Sequence, residues 1–353
     1  MNYKKFLFFS ASFFIVTVIL FSQQRIDPLT TNVSAAPLWE TGIDGIVRGK
    51  PHTQASSVVL VKDNGSVSSY FMSGTPLWNF DARGTAVQYI ARSYEAATYV
   101  CGTDGVFRTI NRVGRELWFL NLGKPISHSP VVGWDGRVFI PVDSIVTCRT
   151  ASGHSLWTVD LGSPIAFDPI LDSTGSFATV LQNMDFVKLN QFSYEERIRL
   201  TRLPVMIVSL NEEDRQSYVL MYQSGEMEKI YFDDKAPAGS KLTKENFRSL
   251  PASPAASAGK NDQFAVTLRD GRILCLDASG NILWTKNTHE ASAERGSGNI
   301  AVGQADIIFD ERGVYAVTTR GVSAFSGEGR RRFVFRLSVE CSGIPAFSDE
   351  GIL

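Results

Sequence analysis

From Trp39 to the end of the chain, hydrophobic residues occur in short groups, and glycine, aspartate, asparagine and serine separate one group from the next. The groups are rich in β-branched and aromatic residues, which is typical of β-strands. Asp-Gly and Asn-Gly pairs between them supply the positive φ angles that tight hairpins need. No stretch of this body combines a sustained 3.6-residue apolar period with helix caps. The pattern therefore predicts an all-β body of short strands joined by tight turns.

One phrase, Gly-x-x-Leu-Trp, recurs within this pattern. It ends at Trp78, Trp118, Trp157 and Trp284, and a shortened copy, Pro-Leu-Trp, ends at Trp39. The tryptophans at positions 39, 78, 118 and 157 are separated by 39, 40 and 39 residues. A period of about 40 residues is the length of one four-stranded blade of a β-propeller.

Other features repeat with the same period. An apolar segment precedes the turn glycine of each unit, and we predict these segments to be the third strands of seven blades, beginning at Ser66, Val106, Ile145, Phe186, Met227, Ile273 and Val322. Each unit then reads as four strands, of which the last ends in Leu-Trp. Residues 341–353 copy the opening of a blade, and Leu38 and Trp39 copy the closing strand of one.

The sequence thus predicts a β-propeller of four-stranded blades, with seven complete blades and a partial eighth. The two ends of the chain supply a first and a last strand for the eighth blade, but the sequence lacks the residues for its two middle strands. We therefore expect an incompletely closed ring. Either the chain is a truncated form of an eight-bladed protein, or a partner covers the open edge.

Recurrence at equivalent positions predicts a structural task for the tryptophans. Leu and Trp are adjacent in a strand, so they face opposite sides of the sheet. We predict that the indoles pack between consecutive blades and that each N–H bonds a backbone carbonyl of the neighbouring blade. These blade-seam residues are Trp39, Trp78, Trp118, Trp157 and Trp284. The alternative is that the indoles form a platform on which a ligand stacks.

The repeat weakens in its middle units. Ile198 stands where one unit would have its tryptophan, and the next unit runs into a segment rich in Pro, Ala, Ser, Gly and Lys. We predict a loop insertion at about residues 232–260. Such a loop is either without consequence or contacts a partner.

The N-terminus has the pattern of an export signal. Lys4 and Lys5 precede an uncharged, Phe-rich run from Phe6 to Phe21. A basic start followed by a short apolar segment predicts an N-terminal hydrophobic export helix within residues 1–36, with cleavage possible before Ala36. An uncleaved membrane anchor is the alternative. We therefore predict an exported propeller domain at residues 37–353, either periplasmic or anchored to the outer face of a bacterial cytoplasmic membrane.

Charge and cysteine content narrow the classes of partner and cofactor. The chain has 353 residues and a formal net charge of −1, which gives no electrostatic reason to expect a nucleic acid partner. The four cysteines have no metal-ligand spacing. Two of them occupy equivalent strands of distant blades, so we expect no intrachain disulfide. The cysteines are Cys101, Cys148, Cys275 and Cys341.

The repeat resembles the pyrroloquinoline-quinone-like (PQQ-like) β-propeller repeat, most clearly in CLDASGNILW at residues 275–284. The spacing from Asp277 to Gly280 is one residue shorter than in the quinoprotein dehydrogenases of that family. It looks more like the non-catalytic branch, which includes the propeller component of the outer-membrane β-barrel assembly machine. The resemblance implies a non-catalytic scaffold that binds proteins in the cell envelope, without a cofactor. The alternative is a quinoprotein-type oxidoreductase that binds pyrroloquinoline quinone and Ca²⁺.

Candidate chemistry is sparse. We expect His52, His128 and Asp168, near the starts of first strands, to line the central channel, where they could bind a metal or a polar ligand or be simply hydrated. No motif of a nucleophilic, phosphate-binding or metallohydrolase site occurs, so we predict no catalytic, cofactor-binding or metal-binding residues. The basic cluster at residues 329–333, GRRRF, is either a solvated hairpin tip or a surface for an anionic partner.

Overall fold

The computed structural model describes residues 3–9, 15–22, 37–54, 57–82, 85–212, 215–232, 240–241, 251–256, 263–268, 270–287, 306–310, 312–318 and 321–336. All strands and sheets in these residues are antiparallel, and the described chain has no helix long and apolar enough to cross a membrane. The chain divides into two compact units. The described residues from 3 to 201 belong to one unit, and those from 202 to 336 belong to the other.

The unit built around residues 36–201 contains a three-stranded sheet and four four-stranded sheets, in each of which strands follow one another in chain order. The three-stranded sheet consists of β1 (Tyr3–Phe9), β2 (Ile15–Ser22) and β3 (Pro37–Gly42). The next two sheets are β4 (Val47–Gln54), β5 (Ser57–Lys62), β6 (Ser66–Phe71) and β7 (Pro76–Asp81), then β8 (Val87–Arg92), β9 (Thr98–Gly102), β10 (Val106–Ile110) and β11 (Glu116–Asn121). The last two are β12 (Val131–Val132), β13 (Val138–Val142), β14 (Ile145–Arg149) and β15 (Ser155–Asp160), then β16 (Ile170–Leu171), β17 (Phe177–Val180), β18 (Asp185–Leu189) and β19 (Glu195–Arg199).

The unit built around residues 202–344 contains three further four-stranded sheets. They are β20 (Met206–Glu212), β21 (Arg215–Met221), β22 (Met227–Ile230) and β23 (Ser240–Lys241), then β24 (Pro251–Ala256), β25 (Gln263–Leu268), β26 (Arg272–Asp277) and β27 (Ile282–Asn287). The last sheet is β28 (Asp306–Asp310), β29 (Gly313–Thr318), β30 (Gly321–Phe325) and β31 (Arg331–Arg336).

The described residues therefore form seven four-stranded sheets and one incomplete sheet, as the repeat predicts. Each predicted third strand is the third strand of its sheet, from β6 to β30. One detail of the predicted unit is wrong, because Leu-Trp begins the fourth strand instead of ending it. Leu77 and Trp78 are the second and third residues of β7, and Leu117 and Trp118 hold the same places in β11.

The incomplete sheet differs from the prediction in its composition. Leu38 and Trp39 lie in β3, which pairs with β2 at Val18 and Trp39, whereas the C-terminal residues 341–353 lie outside the described part of the chain. The predicted N-terminal helix does not form in the described residues, since Tyr3–Phe9 and Ile15–Ser22 are strands. Phe, Ile and Val favour strands, and β3 offers an edge on which such strands can pair.

The predicted loop insertion also contains regular structure. Ser240–Lys241 form β23, the fourth strand of its sheet, and Pro251–Ala256 form β24, the first strand of the next. The short pairing of Glu228 with Lys241 and Lys229 with Ser240 takes the place that a Leu-Trp strand has in other units. A blade can thus keep its fourth strand without the repeated phrase.

Within each unit, the hydrophobic core lies between consecutive sheets. Val59 and Val67 of one sheet pack in a single cluster with Val100 and Ile110 of the next, and Trp78 packs against that cluster. The second and third strands are the most buried, whereas fourth strands such as β11 alternate between half-buried and exposed positions. Burial of this kind stabilises a repeat protein mainly through interfaces between neighbouring units.

Candidate functional site

The repeated tryptophans link four of the sheets to the sheet that follows each of them. Four indole N–H groups donate hydrogen bonds to backbone carbonyl oxygens in the turn between the third and fourth strands of the next sheet. The bonds are Trp78 to Arg112 at 3.1 Å, Trp118 to Ala151 at 2.9 Å, Trp157 to Gln191 at 3.1 Å and Trp284 to Gly327 at 2.8 Å. The side chain of Trp39 lies outside the described residues. An indole so used is not presented to a ligand.

The glycine of the phrase completes this contact. A Cβ atom placed on Gly114 would lie 2.5 Å from Cβ of Trp78, and one on Gly153 would lie 2.7 Å from Cδ2 of Trp118. Both glycines also have positive φ angles, +83° and +89°. The tryptophan of one phrase therefore packs directly on the glycine of the next, which accounts for two residues of Gly-x-x-Leu-Trp.

The leucine of the phrase has the opposite environment. Leu117, Leu156 and Leu283 are 54%, 47% and 45% exposed, and Leu77 is half-buried. Each lies on the fourth strand, which is the edge strand of its sheet. The fold thus repeats an apolar side chain that it leaves in contact with solvent.

Large aromatic side chains are also exposed in turns at one end of these sheets. Tyr94 lies between β8 and β9, Trp134 between β12 and β13, and Phe192 between β18 and β19, with exposures of 75–80%.

Hydrogen bonds also join the turns of adjacent sheets at this end. Arg137 donates to the backbone oxygen and the side-chain oxygen of Gln191, at 3.3 and 3.0 Å.

Of the predicted polar site residues, the structure brings together His128 and Asp168. His128 precedes β12 and Asp168 precedes β16, and Nδ1 of His128 lies 3.1 Å from Oδ1 of Asp168. Nε2 of His128 lies 3.0 Å from the carbonyl oxygen of Ile165. Both neighbours are hydrogen-bond acceptors, so the imidazolium form, in which both ring nitrogens carry hydrogen, satisfies them together. The backbone N–H of Ser129 also donates to Asp168, at 3.3 Å.

The electrostatics agree with this geometry. The hydrogen bond to Asp168 raises the pKa of His128 above its ordinary value, although partial burial opposes the rise. The same bond lowers the pKa of Asp168. The pair is thus a charged link between the first strands of two adjacent sheets.

Tyr89 belongs to the same cluster, and sequence reasoning missed it. Its hydroxyl donates to the carbonyl oxygen of Ser127 at 3.1 Å, and its pKa is raised first by burial and then by the charge of Asp168. Tyr89 lies in β8, one sheet before His128. The one sequence feature that points to Tyr89 is its position 39 residues before His128, which is one repeat period. A tyrosine in an apolar strand is otherwise expected to be a core residue.

His52 has different surroundings. It is half-buried in β4, and its carbonyl oxygen accepts a hydrogen bond from Arg92 Nη1 at 3.4 Å. Arg92 also binds the carbonyl oxygen of Ser57 at 3.2 Å and its hydroxyl at 2.9 Å. These contacts join β8 to the preceding sheet through the backbone of His52 and through Ser57.

The described cysteines are buried thiols. Cys101, Cys148 and Cys275 are free, and Cys341 lies outside the described residues. Burial raises the pKa of Cys148 to about 11 and that of Cys275 to about 12. Within the described part of the chain, no three His, Cys, Asp or Glu side chains converge as a metal site would require.

The basic cluster at residues 329–333 adds a structural contact. Gly329 is the glycine on which Trp284 packs, because a Cβ atom placed on Gly329 would lie 2.6 Å from Cγ of Trp284. Arg332 donates from Nη1 to the carbonyl oxygen of Arg312 at 2.6 Å and to the hydroxyl of Tyr315 at 3.2 Å. Arg330 is exposed at the turn. The cluster therefore combines a seam contact with an exposed basic tip.

Comparisons with known proteins establish the fold. No family model and no curated protein matches the sequence. Among solved structures, BamB from Moraxella catarrhalis is 14% identical with a TM-score of 0.57, covering 92% of this chain and 88% of that one. AztD from Citrobacter koseri is 10% identical with a TM-score of 0.65, covering 99% of each chain. Sqt1 from Saccharomyces cerevisiae is 13% identical with a TM-score of 0.62, covering 83% of this chain and 84% of that one. At such identities the similarity concerns the fold alone, which is a β-propeller. The finer resemblance to the PQQ-like repeat stays a prediction.

Proposed function

We propose that this protein is an exported, non-catalytic β-propeller that binds other proteins in the bacterial cell envelope. In this proposal the seam residues build a rigid scaffold, and the exposed fourth strands and turns contact partners. The protein needs neither a cofactor nor a catalytic residue for such a task. A fold does not define a function, so the proposal depends on particular side chains.

The observation that carries it is the repeated exposed leucine. Glycine and tryptophan of the phrase are explained by the seam, whereas Leu117, Leu156 and Leu283 contribute little to it and are about half exposed. Single exposed apolar residues are ordinary, but recurrence on edge strands is not. An edge strand with apolar side chains is a known template for pairing with another chain.

The proposed location rests on the N-terminal sequence. Lys4, Lys5 and the uncharged run to Phe21 fit an export signal. Export would deliver the propeller to the periplasm or hold it at the outer face of the cytoplasmic membrane. Membrane contact would then be confined to the N-terminal segment.

Partner capture tests the binding role. The full chain with a C-terminal affinity tag is isolated after chemical crosslinking in cells, beside a variant carrying Leu117→Thr, Leu156→Thr and Leu283→Thr. Threonine keeps a high strand propensity while removing most of the apolar surface. We expect discrete envelope proteins with the wild type and a loss of most of them with the variant. Equal recovery from both proteins would show that the leucines do not bind partners.

The rival oxidoreductase is tested separately. The purified chain is titrated with pyrroloquinoline quinone in the presence of Ca²⁺, and dye-linked alcohol oxidation is followed. We expect no stoichiometric binding and no oxidation. Tight one-to-one binding with turnover would overturn the scaffold proposal.

A further inference from the structure

We propose that the outer edge of β11 is a docking strand. Its partner would be an extended protein segment that is apolar at alternate positions and has an acidic residue opposite Arg115. This inference rests on the proposed function and narrows it to one strand and one class of partner. It is carried by the side chains of β11, by its position in the sheet and by its charge.

The outward face of β11 carries two apolar side chains in a row, Leu117 and Phe119. Leu117, Phe119 and Asn121 alternate along the strand and are exposed, with 54% for Leu117 and 63% for Phe119. Arg115, which directly precedes the strand, is exposed too. The other face carries Trp118, Leu120 and Glu116, which are half-buried. Trp118 and Leu120 pack against a core cluster. The strand therefore has one face fixed by the fold and one that meets solvent.

Equivalent strands lack this pair of apolar residues. The exposed leucine of β15, Leu156, is followed two residues later by Thr158, and that of β27, Leu283, by Thr285. Thr158 and Phe119 correspond, because Cys148 pairs with Trp157 in the same way that Thr109 pairs with Trp118. Among the described fourth strands, β11 is thus the one with two large exposed hydrophobic residues on one face.

The backbone of β11 supports strand addition. The sheet order is β11-β10-β9-β8, so β11 pairs with β10 on one side and forms the edge on the other. Alternate N–H and C=O groups of an edge strand point away from the sheet and can pair with an incoming strand. A lipid surface offers no such partner for backbone groups, which favours a polypeptide.

The charge of this edge selects the partner. Arg112 and Arg115 are exposed on either side of Val113, which is itself 64% exposed. Neither arginine forms a salt bridge within the described chain. The adjacent carboxylate, Glu116, lies on the other face, with Oε2 3.9 Å from Nε of the buried Arg108. A partner strand with a carboxylate at this end would complement the exposed guanidinium of Arg115.

Synthetic peptides test the assignment. We use nine-residue peptides with Leu and Thr alternating and two Asp residues at one end, and titrate them into the full chain by calorimetry. One control peptide has Lys in place of Asp, and another carries N-methyl groups on alternate backbone nitrogens. We expect the acidic peptide to bind, and each control to bind at least about tenfold more weakly, since one loses the charge pair and the other the backbone bonds.

Variants of the protein locate the contact. The double variant Leu117→Thr, Phe119→Thr should weaken binding of the acidic peptide by about tenfold or more. The control Leu203→Thr changes an exposed leucine that lies between β19 and β20, outside the fourth strands, and should not change the affinity. Arg115→Glu should reverse the preference, so that the Lys peptide binds better than the Asp peptide. This reversal cannot come from misfolding, because the variant gains a ligand.

Four results would overturn the inference. They are failure of the acidic peptide to bind, equal binding of the N-methylated peptide, a dimer in sedimentation velocity that the double variant abolishes, and binding of phosphatidylglycerol vesicles in place of the peptide. If envelope partners are still captured by the double variant, the proposed function stands and only the assignment to β11 falls. If the wild type itself captures no envelope protein, the proposed function is wrong.

Discussion

At the scale of single residues, the seam between sheets depends on how closely an indole approaches a glycine. Gly114, Gly153 and Gly329 each have a positive φ angle, and the tryptophan of the preceding sheet occupies the space where a side chain would begin. Other turn glycines have the same backbone angle but open space around Cα. Gly123 and Gly162, both at +75°, have nothing within 4 Å of an added Cβ. A substitution at Gly123 or Gly162 therefore tests the effect of the backbone angle alone, whereas one at a seam glycine tests the backbone angle and the contact with the indole together.

We predict that Gly153→Ala destabilises the protein by roughly 2–4 kcal/mol, from the left-handed backbone and the clash with Trp118 together. The control Gly123→Ala should cost only the backbone part, about 1–2 kcal/mol. Urea unfolding followed by circular dichroism measures both. Equal losses in the two variants would mean that the indole does not pack on the glycine.

Ser193 occupies the place that glycine has in the other three turns that accept an indole N–H. It lies two residues beyond Gln191, which accepts the indole N–H of Trp157, and it has a φ of +65° without being glycine. We predict that Ser193→Gly raises stability by about 0.5–1 kcal/mol, because relief of the left-handed strain exceeds the added chain entropy. Ser193→Ala, measured by the same thermal unfolding, should give no gain. A loss of stability in the glycine variant would contradict the reading.

At the scale of strands and sheets, the His128–Asp168 pair links two neighbouring sheets through their first strands. The raised pKa of His128 means that its contribution is complete below the ordinary histidine value of about 6.5 and disappears as pH rises through the folded value. The lowered pKa of Asp168 means that its contribution is lost as pH falls below about 4. The pair therefore stabilises the protein most between these limits.

We predict that His128→Gln lowers stability by about 0.5–1 kcal/mol at pH 5.5 and by less at pH 8.5. The variant Asp168→Asn removes the other charge of the pair, so its loss of stability should also be larger at pH 5.5 than at pH 8.5. Thermal unfolding of the three proteins from pH 5 to pH 9 gives the comparison. A pH-independent loss in the His128 variant would show that the link is not ionic.

The strands show what sequence alone can predict. The third strands from β6 to β30 were predictable because turn residues with positive φ fix both ends of each hairpin. The end of the fourth strand was predicted wrongly, since Leu-Trp directly follows the turn and lies at the beginning of that strand. Tyr89 was missed because its role depends on a neighbouring sheet. The pairing of His128 with Asp168 was likewise invisible, because spacing of 40 residues gives no side-chain direction.

At the scale of the whole molecule, Gly and Trp of the repeated phrase hold neighbouring sheets together. In the proposed function, the exposed leucine of the phrase contacts partners. Two surfaces compete for the partner role, namely the edge of β11 and the aromatic turns that carry Tyr94, Trp134 and Phe192. A measurement that identifies which residue contacts the partner can decide between these two surfaces.

Site-specific photocrosslinking in living cells provides it. A photoreactive amino acid replaces Phe119 on β11, Thr158 at the matching position of β15, or Trp134 in an exposed turn, in otherwise full-length protein. We predict a discrete polypeptide adduct from position 119, with little from position 158 or 134, and a reduced adduct when Arg115→Glu is added. Absence of a polypeptide adduct at all three positions, or an adduct from position 134 alone, would contradict the account.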